Sequence, residues 1–305
     1  MGRVSCAGHI GHNLPPRFLI GRSHAAHLRL ERDDISGEHA VIEWRGSCWQ
    51  LRDLASTNGT QLNGQRLVPG EPNPLALGDR LNFGHGGEGW ELEDDGEPEV
   101  FGHRMADGYE VSGRAGLLAL PSDDNPVAQI MHIGSDQWCC VMGTLEMMLE
   151  DRQHIEIEGQ RWQVFLPLNC SETRRVDAVE STNVTHLALC FRVSRDEEHV
   201  AIEIERPRAE SPIVIEPRAH NYLLLHLARL RLQDIALPKT EQGWVSRSDV
   251  ATDLRVDPTH LNVQIFRLRR SFAEVGVVDV GNLVETRGRP GQMRIGVDNL
   301  RVTSL

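Results

Sequence analysis

Two groups of residues in this chain have the types and spacing to do chemistry. The first is a series of short pieces: Gly21-Arg22, Ser36-Gly-Glu-His39, Ser56-Thr-Asn58-Gly59-Thr60 and Asn63-Gly64. Arginine presents a rigid fork of N–H donors, and hydroxyls and side-chain amides add single donors, so the set suits an anion. The second is HLNVQIFRLRRSF, residues 260 to 272, where an amide and several arginines share a helical period. Catalytic signatures are missing from the sequence. There is no Walker loop, kinase signature, G-x-S-x-G elbow, zinc-ligand motif or paired-carboxylate site, so the chain reads as a binding protein and not an enzyme.

The elements that must position the first group are short strands. Apolar runs at Phe18 to Ile20, Ala40 to Trp44, Trp49 to Leu54, Leu81 to Phe83 and Trp90 to Glu93 are separated by turn residues. Asn-Gly occurs at Asn58-Gly59 and Asn63-Gly64, both tight-turn signals because Asn and Gly tolerate positive φ. This spacing predicts an all-β sandwich, with the acidic stretch EDDGEPE (93 to 99) as its exit. The middle region is also β-rich, with strands expected at Gln129 to Ile133, His154 to Ile157, Trp162 to Leu166, Leu187 to Val193 and Val200 to Ile204.

After PRAESP (207 to 212), read as a linker, the period turns helical. Leu223, Leu227 and Leu230 mark one buried helix face, with Pro217 placed in its opening turn. Ser246-Arg-Ser-Asp249 resembles a capping box for a short second helix. Asp257-Pro258 supplies an N-cap and a first-turn proline for a third, whose stripe is Leu261, Ile265, Leu268 and Phe272. The segment LVETRGRPGQMRIGV (283 to 297) reads as a β-hairpin, and three helices plus a hairpin make a winged helix.

Composition bounds the partners. The chain has 305 residues, 40% apolar content and a net charge of −12. From Pro212 onward thirteen Arg/Lys oppose ten Asp/Glu, a net +3, so residues 1 to 211 carry −15. An acidic front half therefore precedes a mildly basic back half, which argues against whole-molecule nucleic-acid binding. No apolar run reaches membrane-spanning or signal-peptide length, so the expected compartment is the cytoplasm and no membrane partner is implied. Six cysteines are scattered without a C-x-x-C pair, and the fourteen histidines show no metal-ligand spacing, so neither metal nor cofactor is expected.

The first group, together with Leu77-Gly-Asp79-Arg80 and Phe83-Gly84, resembles the forkhead-associated (FHA) domain over residues 17 to about 95. The resemblance implies a β-sandwich that reads phosphothreonine, with Arg22, Ser36, Thr57 and Asn58 contacting the phosphopeptide. In that reading Arg22 grips the phosphate bidentately, Ser36 and the loop around Thr57 add donors, and Asn58 pairs with the peptide backbone. Gly21, His39, Gly59 and Asn63 support the loops. Gly37 stands where many family members carry a basic residue, which implies lower affinity.

The second group, with the downstream hairpin, resembles the winged-helix output domain of OmpR-type response regulators over about 212 to 300. Leu261, Ile265, Leu268 and Phe272 would face inward, and Val263 would lie on an outer face. Gln264 and Arg267 would meet base edges, Arg269 and Arg270 phosphates, and Arg287 and Arg289 an adjacent groove or backbone. A winged helix that docks on protein is the alternative. Residues 128 to 165 echo parts of the sandwich, AQIMHIGSDQWCCV paralleling AVIEWRGSCWQL. They read as a decayed second sandwich; equally, the strands at 187 to 204 read as the small sheet that precedes an OmpR-type winged helix, in which case the C-terminal unit begins near Thr182.

The fold expected is multidomain α+β: an FHA-like sandwich at 1–98, a β-rich middle at 99–206 and a winged helix at 207–305. The function expected is a phosphothreonine-reading transcriptional regulator that docks on a Ser/Thr-phosphorylated protein, such as a kinase or its substrate, and binds DNA. The acidic front half would shield the basic helix until docking. A signalling adaptor without DNA contact is the alternative.

Overall fold

The computed structural model describes residues 1–7, 11–86, 89–134, 137–143, 145–168, 182–206, 211–288 and 291–304. The chain forms two compact units: Met1–Ser112 with Asp151–Glu156 and Gln160–Asp177, and Gly113–Glu150 with Ile157–Gly159 and Ala178–Leu305. No helix among the described residues is long and apolar enough to cross a membrane.

The first unit contains a sandwich of a five-stranded and a six-stranded sheet. Leu28–Arg29, Arg17–Gly21, Ala40–Trp44, Trp49–Asp53 and Asn73–Pro74 form the five-stranded sheet in that order. Alternation drives it: in Trp49–Asp53 the first, third and fifth residues are buried, so Trp49 and Leu51 face the core and Gln50 and Arg52 face out. Phe18, Ile20, Ile42, Leu81, Phe83 and Leu92 complete that core from both sheets. The sandwich begins earlier than the sequence suggests, because Arg3–Cys6 pairs antiparallel with Trp90–Asp94. Nor is EDDGEPE an exit. The Gly96 carbonyl accepts the Trp49 indole N–H at 3.0 Å, and the unit runs on to Ser112. A further sheet, ordered Glu110–Ser112, Phe101–Arg104, Gln160–Phe165 and His154–Ile157, closes the unit.

In the second unit, Leu117–Ser122, Asn125–Gly134, Gln137–Met142 and Leu145–Leu149 form an antiparallel meander. Residues 128–165 are thus divided between the two units, and the reading of them as one decayed sandwich gives way. A second sheet is ordered Ile213–Ile215, Val200–Glu205, Ala188–Val193 and Asn299–Ser304. The expected linker at 207 to 212 lies largely outside the described residues, and the strands on either side of it pair with one another, Ile202 with Ile215. Ala178–Leu305 belongs to one unit together with Gly113–Glu150 and Ile157–Gly159.

Three helices follow: α1 (Asn221–Gln233), α2 (Arg247–Asp253) and α3 (Pro258–Glu274). Helix α1 buries Leu223 and Leu227, while Pro217 lies ahead of the helix and not in its first turn. The Ser246 hydroxyl accepts the Asp249 N–H at 3.1 Å, and the Asp257 carboxylate accepts the His260 N–H at 2.9 Å, the two caps expected from the sequence. Leu261, Ile265, Leu268 and Phe272 face the core they share with α1 and the second sheet. Val284–Arg287 and Gln292–Ile295 form the hairpin, joined at its edge by Val245–Ser246.

Helix α3 has a second buried face. Phe266, 1% exposed, packs among Leu117, Ala119, Met131 and Cys139 of the meander. Arg269 is 4% exposed. Its guanidinium donates to Gln129 Oε1 at 2.9 Å and to the carbonyls of Gly281 and Val284, both at 3.2 Å. Burial without a carboxylate partner lowers its pKa to about 10. The same burial raises the thiols of Cys139 to about 11 and Cys140 to about 12, so neither is a ready thiolate.

Candidate functional site

Three loops at one rim of the sandwich are tied together by hydrogen bonds. The Arg22 N–H donates to the Ser36 carbonyl at 2.9 Å, the Thr57 N–H to Ser36 Oγ at 3.1 Å, and Asn58 Nδ2 to the Asp34 carbonyl at 2.8 Å. The structure therefore brings Arg22, Ser36, Thr57 and Asn58 onto adjoining loops. Ser36 Oγ already accepts the hydrogen bond from the Thr57 N–H, so its own O–H is the group able to donate to an anion. Asn58 spends an amide N–H on the fold, which leaves Oδ1 as the atom able to accept from a peptide amide.

Arg22 is the least constrained member. Its side chain is 52% exposed, and the Asp33 carboxylate that approaches it at 3.4 Å is fully exposed. An ion pair of this kind contributes little and exchanges readily for a stronger partner. Gly21 is required by crowding, because a Cβ there would stand 2.2 Å from the Gly37 carbonyl oxygen. Asn63 adopts φ 51° at the head of its turn, and its side chain bridges Asp79 Oδ1 at 2.8 Å and the Arg80 N–H at 2.9 Å.

Beneath the rim His39 is fully buried. Its Nδ1 accepts the Ser36 N–H at 3.1 Å, so Nε2 carries the proton and donates to the Gly59 carbonyl at 3.1 Å. Burial holds its pKa below the usual histidine range and keeps the ring neutral, as this bonding pattern needs. One neutral imidazole thus fixes the spacing of the Ser36 and Asn58-Gly59 loops.

Two supporting residues escaped the sequence reading. Asp53 is fully buried and accepts from the Ser56 N–H at 3.0 Å, the Ser56 hydroxyl at 2.6 Å and the Thr60 hydroxyl at 2.7 Å. Ser56 in turn accepts the Gly59 N–H at 3.0 Å. The signal was the carboxylate three residues before a serine, an arrangement that closes a local side-chain turn. Asp34 is the other. The His85 N–H and the Arg32 guanidinium hold its carboxyl below the usual carboxylate range, and it anchors a neighbouring loop.

The residues expected to meet DNA are not gathered on one open face. Arg269 cannot reach a phosphate from its buried position, and Val263 is buried as well. Gln264 is half-buried. Arg270 is paired with Asp123, and Arg267 approaches Asp124 at 3.5 Å. Arg287 lies 4.2 Å over the Trp244 ring and 3.2 Å from Glu241, while Arg289 lies outside the described residues. The meander packs against the face of α3 that carries Phe266 and Arg269, and its Asp123-Asp124 turn pairs with Arg270 and Arg267. As for metals, Asp196, Glu198 and His199 bring ligand atoms within 4.8 Å of one another on an exposed turn. Asp196 already accepts from Ser194 and from the Glu198 N–H.

The sandwich whose polar loops are tied together at one rim matches the FHA domain family over residues 18–84. The chain carries an FHA domain over that stretch. Two proteins of Mycobacterium tuberculosis are similar to it. FHA domain-containing protein FhaA is 40% identical over 67 residues, 22% of this chain and 12% of FhaA. FHA domain-containing protein FhaB is 38% identical over 63 residues, 21% of this chain and 41% of FhaB. The matches span less than half of either relative. The solved FhaA FHA domain in complex with the intracellular domain of Rv3910 is 28% identical with a TM-score of 0.27, covering 30% of this chain and 99% of that one.

Proposed function

We propose that this chain is a phosphothreonine-dependent docking protein whose FHA domain grips a Ser/Thr-phosphorylated partner and whose second unit passes that engagement on. The observation that carries this is the convergence of Arg22, Ser36 and the Thr57-Asn58 loop through mutual hydrogen bonds at one rim. Arg22 supplies the charge-assisted fork, Ser36 an O–H donor, Thr57 its side of the phosphate cradle, and Asn58 the hold on the peptide backbone. Titration of the full chain with a phosphothreonine peptide and its unphosphorylated twin tests it. Binding of the phosphorylated peptide alone is expected, and equal affinities would refute the reading.

For the second unit, a winged helix that acts as a protein-docking adaptor is favoured over DNA binding. The specific observation is the placement of Phe266 and Arg269, which seat α3 against the meander. DNA-linked transcription regulation requires that the meander and the Asp123-Asp124 turn leave α3. The earlier idea of an acidic shield is thereby narrowed to one turn within the same unit. Salt-dependent, sequence-selective retention of DNA by the full chain in the presence of the phosphopeptide would restore the regulator reading, while no retention at low salt supports the adaptor.

A further inference from the structure

We infer that the second unit holds a binding site for a small organic monocarboxylate, in the cavity between the meander and the hairpin where Arg269 forms a cationic floor. The inference stands apart from the phosphothreonine reading and uses none of its residues. The cavity measures about 240 Å³. That is below the roughly 300–1,000 Å³ of sites for drug-sized molecules, so its ligand is compact. Met131, Cys139 and Val284, each at most 2% exposed, line the deep part beside Arg269. Ile133, Val141 and Trp244 form half-buried walls, and Glu146 and Thr286 stand exposed at the mouth.

Charge singles out Arg269. Arg231 and Arg269 are the two buried arginines of this unit among the described residues, each 4% exposed. Arg231 pairs with Asp298, whereas Arg269 has no carboxylate oxygen within 4.0 Å among the described residues. Three neutral acceptors take hydrogen bonds from its Nη1 and Nη2, and its Nε–H meets none. A buried cation with an unused donor is costly, and such groups are ordinarily paired or serve a ligand. The neighbours do not close the gap. The Cys139 thiol is neutral, since burial raises it to about 11, and Arg247 adds positive charge. Glu146 stays at the mouth, where Thr286 Oγ1 donates to it at 3.4 Å. An anion inside the cavity supplies both the missing charge and the missing acceptor.

The lining decides which anion. Met131, Ile133 and Val141 offer apolar surface, which suits a hydrocarbon body and not a sugar or a phosphate ester. Glu285, also in the wall, is already held by Arg294 at 2.6 Å, so that pair brings no free cation for a second anionic group. At the mouth the Glu146 carboxylate repels a second negative charge, and the site therefore favours one carboxylate over two. Because the walls come from both the meander and the hairpin, a bound molecule ties the two together and stabilises the seating of α3 between them.

The test titrates the full chain with hexanoate, its neutral twin hexanamide and the dicarboxylate adipate, by calorimetry with thermal melting in parallel. Hexanoate should bind saturably and raise Tm. Hexanamide should bind about tenfold more weakly, the scale of one charge-assisted hydrogen bond, and adipate should also bind more weakly. Glu146→Gln should narrow the gap between hexanoate and adipate, and Arg269→Met should erase the preference for hexanoate over hexanamide. Arg269 also joins α3 to the meander, so a second variant covers the case in which Arg269→Met does not fold. Val141→Phe fills the cavity while leaving the arginine in place, and it should abolish hexanoate binding. No saturable binding of hexanoate, equal affinity for hexanamide or adipate, or binding undiminished in Val141→Phe would overturn the inference.

Discussion

Arg22→Ala should separate binding from stability, and its size can be worked from the site. A dianionic phosphate held by a guanidinium fork receives two charge-assisted hydrogen bonds, each contributing about 1.5–3 kcal/mol. With the side chain 52% exposed, solvent screening puts the pair at the low end. The expected loss is about 3 kcal/mol, on the order of 100-fold in Kd. Stability should hardly change, because the Asp33 carboxylate beside the guanidinium is fully exposed and the backbone bond from Arg22 to Ser36 survives the substitution. Arg22→Lys should recover little of the affinity, since a point charge cannot reproduce the fork. Calorimetry with a phosphothreonine peptide and thermal melting of the same samples read both quantities. Wild-type affinity in Arg22→Ala, or a loss of binding matched by a comparable fall in Tm, would refute the reasoning.

Other changes should behave differently. His39→Ala removes the acceptor of the Ser36 N–H and opens a cavity under the rim, so urea unfolding should show a loss of about 2–4 kcal/mol, with weaker peptide binding as well. Gly21→Ala forces a Cβ onto the Gly37 carbonyl and should cost about 1–3 kcal/mol, read by the same unfolding curves. His27 provides a pH signature. Burial first, then the Arg152 and Arg17 charges, lower its pKa from 6.5 to about 4 in the folded unit. The unfolded chain therefore binds the proton first, so the contribution is complete above about pH 6.5 and lost as pH falls toward 4. It amounts to about 3 kcal/mol, and the wild-type curve should be steeper there than that of His27→Leu by this amount. Phe266→Ala should destabilise the second unit by about 3–5 kcal/mol, whereas an exposed residue on a free helix face would cost little when truncated in the same denaturation assay.

The sandwich was legible because alternation and turn chemistry are local. Trp49 to Asp53 shows period-two burial, Ala40 to Ile42 is a continuous buried run, and Asn63 takes the positive φ its turn demands. Arg22, Ser36 and Asn58 were legible for another reason, since each stands in a spaced motif whose loops converge. Arg3–Cys6 was missed because a four-residue edge strand is defined by its partner, Trp90–Asp94, nearly ninety positions away. The hub at Asp53 was missed because a buried carboxylate is silent until its three donors are seen around it. The run of Pro, Ser and charged residues at 207 to 212 connects two strands that pair within one sheet.

The packing of α3 has the most consequence for function, and its cause is visible in the residues. The stripe Leu261, Ile265, Leu268 and Phe272 accounts for one buried face, and the arginines were assigned to an open one. Val263, Phe266 and Arg269 recur at intervals of three, however, and define a second stripe around the helix. A helix apolar on two sides packs between two layers, and Phe266 is the residue that an open DNA-reading face does not need. Arg269 completed the disguise. On a solvated helix a guanidinium reads as a phosphate contact, yet here Gln129 and two backbone carbonyls use its donors to join α3 to the meander. Removing that join by Gln129→Leu would leave a buried cation short of an acceptor, which costs more than the hydrogen bond itself contributes. If α3 were instead free to enter a groove, Gln129→Leu would leave both stability and DNA retention unchanged.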